Sequence, residues 1–323
     1  MASIIRKYVS RAHITMLIRQ YTAELVESNH NVNEIIAYDN DGIVTPFFEL
    51  IENIRRGRYD VVFHTHPRFH LALITWLAGI PIRVGTGYRW YSFLFTRKVY
   101  EHRKYARFHE LEYNIHLIRS LGYSIEGLDI SPTLEVTPDT EKRITKYMED
   151  LGLLRGKKIV ILHPGSGSSA RDWSPKNFGF LGRKLQEMDD VQVVVTGGKN
   201  EQRLIELVRS ISGNRAIALP DQLSICEFAA FIKKAALFVA NSTGPIHIAA
   251  AVGTPLIGFY PHITALSARR WGPWTDKKII FSPQDKPLDC TKCIREKSSV
   301  CECMDTISVD QVYSAANQLI RQS

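Results

Sequence analysis

Apolar residues along the 323-residue chain fall into short runs of two different periods. In the second half, KIVILH, VQVVVTG, AIALP, LFVANS, PLIGFY and KIIFS are brief, apolar and rich in β-branched residues, and they read as strands. The first five are separated by segments of helical period or rich in alanine, an alternation that predicts parallel strands with helical crossovers. The first half repeats the scheme less regularly, with HITMLI, EIIAY, YDVVFHTH and PIRVG as strands and YTAELVES, FFELIENIRR and FHLALITWLAG as helices. The polar stretch SPTLEVTPDTEK, 131–142, is the natural linker, and it divides the chain into domains 1–140 and 141–323.

Ligands of doubly wound sheets bind beyond the carboxyl ends of the strands. In the second domain those ends carry HPGSGSSARDWSP, TGGKNEQ, LPDQLS and NSTGPIH, which are expected to converge on one site. Gly165, Gly167 and Ala170 loosely match a dinucleotide fingerprint, but Ser174 and Pro175 are the N-cap and first residue of a helix that starts later than a fingerprint allows. Hydride transfer is therefore disfavoured. What remains is a glycine and serine loop with free backbone N–H groups and one cation, Arg171, suited to a phosphate or diphosphate. In NSTGPIH, Gly244 allows a tight turn, Pro245 presets the first helical turn, and Ser242 and Thr243 place hydroxyls at a positive helix end. A lone histidine such as His247 ordinarily packs in a core; beside the glycine and serine loop it becomes a candidate ligand contact.

Composition narrows the setting. Hydrophobic content of 45% and charged content of 23% are those of a globular protein, with no run long enough for a membrane span and no signal-peptide core, so a cytoplasmic location is expected. Forty-one Lys and Arg against 33 Asp and Glu give +8, which favours anionic partners. The clusters RRGR (55–58) and RKVYEHRKYAR (97–107) both lie in the first half; solvated faces are one reading, and contact with acidic phosphates through Arg55, Arg58, Arg97, Lys98 and Arg103 is the other. No nucleic-acid-binding module is recognisable. Asp39-Asn40-Asp41 spells the D-x-D of metal-dependent transferases, yet it follows a strand and precedes Gly42, as an ordinary turn does. Cys290, Cys293, Cys301 and Cys303 leave zinc, a disulfide or reduced thiols open; C-x-C is an unusual second half for zinc, and a cytoplasmic setting favours thiols. No metal is expected to be required.

HPGSGSSARDWSPKNFGFLGRKL, TGGKNEQ and LPDQLSICEFAAFIKKAALFVANSTGPIHIAAAVGTPLIGFY together resemble the donor-binding half of glycosyltransferase family nine, the ADP-heptose:lipopolysaccharide heptosyltransferases. RKYARFHELEYNIHLIRSLGY is similar to the family's interdomain region. The resemblance implies an α/β fold of two Rossmann-like domains facing a cleft, the B-type glycosyltransferase fold, with the C-terminal helix able to pack back on the first domain. It implies inverting transfer of heptose from ADP-heptose to an inner-core sugar of lipopolysaccharide, without a cofactor, on the inner face of the membrane.

Carried onto this sequence, the resemblance gives Gly165 and Ser166 diphosphate contacts and puts Arg171 where the family has a lysine. Glu201 matches the acid that meets the nucleoside ribose, and Leu223 flanks the adenine. Thr243, Gly244 and His247 match directly, whereas Ser242 stands where an aspartate is common, which removes a charge beside the sugar and leaves another donor sugar open. Arg171 and His247 are the expected catalytic contacts. Family members also open with a strand, a Gly-Asp loop carrying the aspartate base, and a helix. Here 13 residues precede Ile14 and the first acid is Glu24, so the first domain is expected to be truncated, with unpaired strand edges and impaired catalysis. A non-catalytic sugar-nucleotide-binding protein is the alternative, as is a base supplied by His64 or His66.

Overall fold

The computed structural model describes residues 1–153, 156–167, 170–213, 215–220, 222–283 and 302–322. They divide into two compact units, Met1–Ile130 and Ser131–Ser323, so the break falls at the start of the polar stretch and not at residue 140. That stretch ends in a helix, Pro138–Asp150, opened by Thr137, whose side chain accepts a hydrogen bond from the Thr140 amide. Ile144 and Met148 bury its inner face.

In the first unit, β1 (Thr15–Ile18) pairs in parallel with β2 (Glu34–Ala37). A hairpin of β3 (Asp39–Asn40) and β4 (Ile43–Val44) follows. Then β5 (Val61–Phe63), β6 (Ile82–Thr86) and β7 (Arg97–Val99) make a separate parallel sheet. Among the described residues no strand pairing joins β1–β2 to β5–β7. Asp41 and Gly42 both have positive φ, 49° and 84°, the geometry of a tight Asp-Gly hairpin turn. The D-x-D segment is that turn, and Arg19 and the Gln20 amide both hydrogen-bond the buried Asp39 carboxylate, at 2.6 and 2.9 Å. Helices Phe47–Arg56 and Phe69–Leu77 lie where the pattern puts them, while YTAELVES folds as two short turns, Gln20–Thr22 and Glu24–Glu27. The first residues form a helix, Ala2–Tyr8, whose Ile4 packs with Ile115 and Ile118.

The second unit has a single six-stranded parallel sheet: β8 (Lys158–His163), β9 (Val191–Gly197), β10 (Ile217–Pro220), β11 (Leu237–Asn241), β12 (Leu256–Phe259) and β13 (Lys278–Phe281). Their spatial order is β10-β9-β8-β11-β12-β13, and every pairing is parallel. This is the doubly wound order, with its reversal between β8 and β11. The strands are apolar on both faces because helices cover both. Val160, Leu162, Val193, Val195 and Val239 share one continuous core with Trp173 and Phe178. The C-terminal helix Val309–Gln322 belongs to that core through Val312, Ala316, Leu319 and Ile320. Its apolar stripe is thus engaged within its own unit.

The first unit instead divides its interior among three small clusters around Ile54, Tyr91 and Ile4, and the side chains of β1 are only half-buried. Small cores resist local opening less than one large core. Amide hydrogen exchange is therefore expected to be slower in β8 and β11 than in β1 and β2 by on the order of a hundredfold or more. Equal protection of the two sets would contradict this ranking.

Candidate active site

The reversal of strand order puts the carboxyl ends of β8 and β11 side by side, Ala240 facing His163 across the ladder. Two segments leave there, 164–174 and 242–243, each running into a helix. The first helix, Pro175–Leu185, is capped by the Ser174 side chain, which accepts from the Asn177 amide. The second, Gly244–Ala251, has extended Thr243 as its N-cap and a proline in its first turn. Both starts lie where the Ser-Pro and Gly-Pro signals place them.

One side chain ties the two segments together. Asn241, the last residue of β11, is fully buried, and its Nδ2 donates to the Pro164 carbonyl at 2.7 Å while its Oδ1 accepts from the Trp173 amide at 2.9 Å. Trp173 is in turn fixed by stacking on Phe259 at 4.4 Å and by donation from Nε1 to the Ile307 carbonyl. Asp305 accepts from the Ser174 amide and from Asn177 Nδ2, so the segment before the C-terminal helix braces the same turn.

Within the first loop, the Ser166 hydroxyl donates to Asp172 Oδ2 at 3.0 Å, and Asp172 Oδ1 is buried without a hydrogen-bond partner. Burial pushes the Asp172 carboxyl up to about 6, and the Glu201 charge adds to this; the Ser166 hydrogen bond and the Arg171 guanidinium pull the other way. Arg171 is itself buried. Glu201 lies against Gly165, where a Cβ would meet its carboxylate and push that side chain aside. Its carboxylate accepts from the Gly198 amide at 2.8 Å. Behind the loop, burial pushes His163 down to about 4, partly offset by Glu201, and the ring shares a hydrogen bond with Thr196 at 2.9 Å. His163 is therefore a neutral core histidine near neutral pH.

In the second segment, His247 is exposed one turn into its helix, and Ser242 is half-buried and hydrogen-bonded to Tyr260. Burial raises the Tyr260 phenol well above its ordinary range, and its hydroxyl donates to the Trp271 carbonyl. Leu223 is half-buried just ahead of the Ser224 cap, after β10, two strands out from β8. The fold thus brings Gly165, Ser166, Arg171 and Glu201 together and sets Ser242, Thr243 and Gly244 beside them at the strand reversal, with Leu223 on the flank. Asn241, Asp172, Trp173 and Asp305 carry the geometry without having been singled out. The one available signal is Asn241 itself, a carboxamide ending an otherwise apolar strand.

Other expected positions fall elsewhere. His64 is buried, shares a hydrogen bond with Thr75, packs on Phe95 and is pushed down to about 4 by burial, with the Arg83 charge adding to this. His66 is exposed and accepts from Arg68 Nε at 2.8 Å. Arg103 pairs with Glu110 and donates to Asn114 and the Thr65 carbonyl, and Arg55 pairs with Glu52 and donates to the Leu77 carbonyl, so these two charges serve the fold. Arg58, Arg97 and Lys98 are exposed. Cys290, Cys293 and Cys301 lie outside the described residues; Cys303 precedes the short turn Met304–Thr306.

Residues 47–302 match the family model described as glycosyltransferase family 9 (heptosyltransferase), and the chain belongs to that family. A Haemophilus influenzae protein provisionally named a glycosyltransferase is 29% identical over 277 residues, covering 84% of this chain and 80% of its own. An Escherichia coli protein named lipopolysaccharide heptosyltransferase 3 is 24% identical and covers 99% of this chain and 94% of its own. The solved structure of the E. coli ADP-heptose lipopolysaccharide heptosyltransferase II superimposes with a TM-score of 0.77 at 18% identity, over 99% of this chain and 93% of that one. The chain is accordingly a glycosyltransferase of α/β fold.

Two outcomes follow from the loop geometry. Asn241→Ala leaves the Trp173 amide and the Pro164 carbonyl buried without partners, which costs about 2–4 kcal/mol in the second unit's unfolding free energy; a loss below about 0.5 kcal/mol in urea titrations would contradict the pinning role. Asp172 behaves differently because its folded-state value lies above its ordinary 3.8. The stability this lends is complete below pH 3.8 and is lost as pH rises through about 6. Asp172→Asn keeps an acceptor for Ser166 but cannot ionise, so it is expected to stabilise the protein by about 1–3 kcal/mol at pH 7.5 and by progressively less toward pH 4. Urea unfolding at several pH values checks this, and a pH-independent difference would contradict it.

Proposed function

We propose that the second unit binds ADP-heptose at the carboxyl ends of β8 and β11, and that the protein transfers the heptose, with inversion, to an inner-core sugar of lipopolysaccharide. The observation carrying this reading is the adjacency of the 164–173 loop and the Gly244–Ala251 helix start, held by the buried Asn241 amide. The names of the related heptosyltransferases support the donor and acceptor classes.

Inverting transfer is an in-line displacement at the anomeric carbon. The bond to the diphosphate oxygen breaks as the acceptor hydroxyl attacks, so negative charge grows on the leaving phosphate while a base takes the hydroxyl proton. Arg171 meets the leaving charge with a planar guanidinium suited to two phosphate oxygens. The free N–H groups and positive end of the Gly244–Ala251 helix add to it. Gly165 and Ser166 line the diphosphate, Glu201 takes the ribose and Leu223 flanks the adenine. His247, exposed near the helix start, contacts the sugar phosphate side. The acceptor belongs to the first unit in this reading, with exposed Arg58, Arg97 and Lys98 serving its phosphates and an anionic inner membrane face.

A second donor sugar is favoured by one observation. Ser242 stands where an aspartate is common and is hydrogen-bonded to Tyr260, so it places no charge beside the sugar. Comparing ADP-heptose with other ADP-sugars in a transfer assay separates the two readings. For the nucleotide itself, Arg171→Ala is expected to weaken ADP binding by about 1.5–3 kcal/mol in calorimetry. Unchanged affinity would remove Arg171 from the site, and no binding of ADP by the parent protein would remove the donor reading altogether.

A further inference from the structure

The carboxyl of Asp172 sits in surroundings that suit its charged form poorly. Its Oδ1 is buried and accepts no hydrogen bond, although an ionised carboxylate offers about four acceptor positions. Its Oδ2 accepts from the Ser166 hydroxyl at 3.0 Å. Two charges act on it: Glu201, which packs against Gly165 from the turn after β9 and opposes ionisation, and Arg171, the preceding residue, which favours it. His163 behind the loop is neutral near neutral pH, and Asp305, which reaches the following turn, accepts from the Ser174 amide and from Asn177 Nδ2.

A serine hydroxyl carries a single proton. While Asp172 is ionised, Ser166 commits that proton to Oδ2 and turns lone pairs toward any other oxygen. A phosphate oxygen presents lone pairs as well, so contact between the two is repulsive. Once Asp172 is neutral, the roles reverse: the carboxyl O–H donates to Ser166 Oγ, and the serine hydrogen is released toward the ligand. Neutralisation also removes a negative charge from beside an incoming diphosphate. The buried Oδ1 becomes a neutral carbonyl oxygen, whose lack of a partner costs less than that of a charged one. All three effects have the same sign.

We propose that Asp172 is a positioning residue for the donor phosphates: a nucleotide diphosphate binds with uptake of a proton from solvent at Asp172, and the neutral carboxyl turns the Ser166 hydroxyl toward a phosphate oxygen. No other covalent bond changes in this step. The inference rests on the diphosphate contact assigned to Ser166 above and adds the proton that accompanies it. Burial holds the carboxyl of the free protein at about 6, so well below that pH binding requires no proton. Above it, affinity falls by up to about tenfold per pH unit until the value in the complex is reached.

Calorimetry of ADP-heptose binding in buffers of different ionisation enthalpy counts the protons directly, because both phosphates of this ligand are esterified and neither takes up a proton near neutrality. Uptake of about half to one proton is expected at pH 7, with an affinity that falls about tenfold or more from pH 5.5 to pH 8. Asp172→Asn cannot exchange a proton, and its Nδ2 donates to Ser166 as the neutral carboxyl does. This variant is expected to bind like the parent at pH 5.5 and about tenfold more tightly than the parent at pH 8, without proton uptake. A purely structural role for Asp172 would leave the pH profile unmoved. The inference is overturned if the parent binds ADP-heptose with no proton uptake and a flat pH profile, or if Asp172→Asn retains both the uptake and the slope. Binding of neither ADP nor ADP-heptose between pH 5.5 and 8 would instead remove the donor reading, and this inference with it.

Discussion

The geometry of the second unit's crevice hangs on a single buried carboxamide. In a parallel sheet the strand ends offer main-chain groups that the ladder no longer pairs, and a loop leaving one strand has no built-in reason to stay near its neighbour. Asn241 supplies that reason by donating to one end of the 164–173 loop and accepting from the other. The second attachment fixes Trp173, Trp173 seals against Phe259, and the chain then enters the Ser174 cap in register. Removing the amide would leave the Pro164 carbonyl and the Trp173 amide without this partner in a buried position, so loop position, helix start and core packing are coupled.

The charges inside this frame are of both signs. Arg171 and two helix starts favour negative charge, but Asp172 lies in the same loop as Arg171, Glu201 packs against that loop from the turn after β9, and burial already biases the Asp172 carboxyl toward its neutral form. Any anion placed here would gain from the guanidinium and the amides and lose against the carboxylates. Such opposition suits a transferase, whose leaving group must be stabilised as charge develops and then released. His163 contributes shape and no charge, since its burial keeps the ring neutral.

What the chain discloses about itself follows the range of the interactions. The six strands of the second unit, the Ser174-Pro175 start and the Gly244-Pro245 start are legible because each is written in neighbouring residues. Thr137-Pro138 carries the same signal but opens a helix with sparse apolar positions, and there the surrounding polarity reads as linker. β7 is hidden because an edge strand turns Arg97 and Lys98 outward, which looks like a basic run. Arg103 belongs to the same run in sequence yet is engaged by Glu110 from the next helix. Asn241 with Trp173, Asp305 with Ser174 and Glu201 with Gly165 are contacts between residues far apart in the chain, and no local pattern encodes them.

The two units meet different physical demands. Loops held by a few hydrogen bonds keep their positions only over rigid packing, and the second unit provides this by anchoring them in one deep core beneath a continuous sheet. The first unit spreads its interior over several small clusters and leaves large rings in solvent, an arrangement poorly suited to rigid recognition of a small ligand. It is better suited to a partner that is itself soft and extended, where matching depends on the sign of charge and on apolar area. Its charge follows the same division: acids are absent from residue 61 to residue 100, Arg83 is half-buried and donates to the Leu94 and Ile80 carbonyls, and Arg68, Arg89, Arg97 and Lys98 are exposed. One deep core beneath a continuous sheet and several small clusters under exposed rings thus reflect opposite requirements on packing, and separate units allow one chain to carry both.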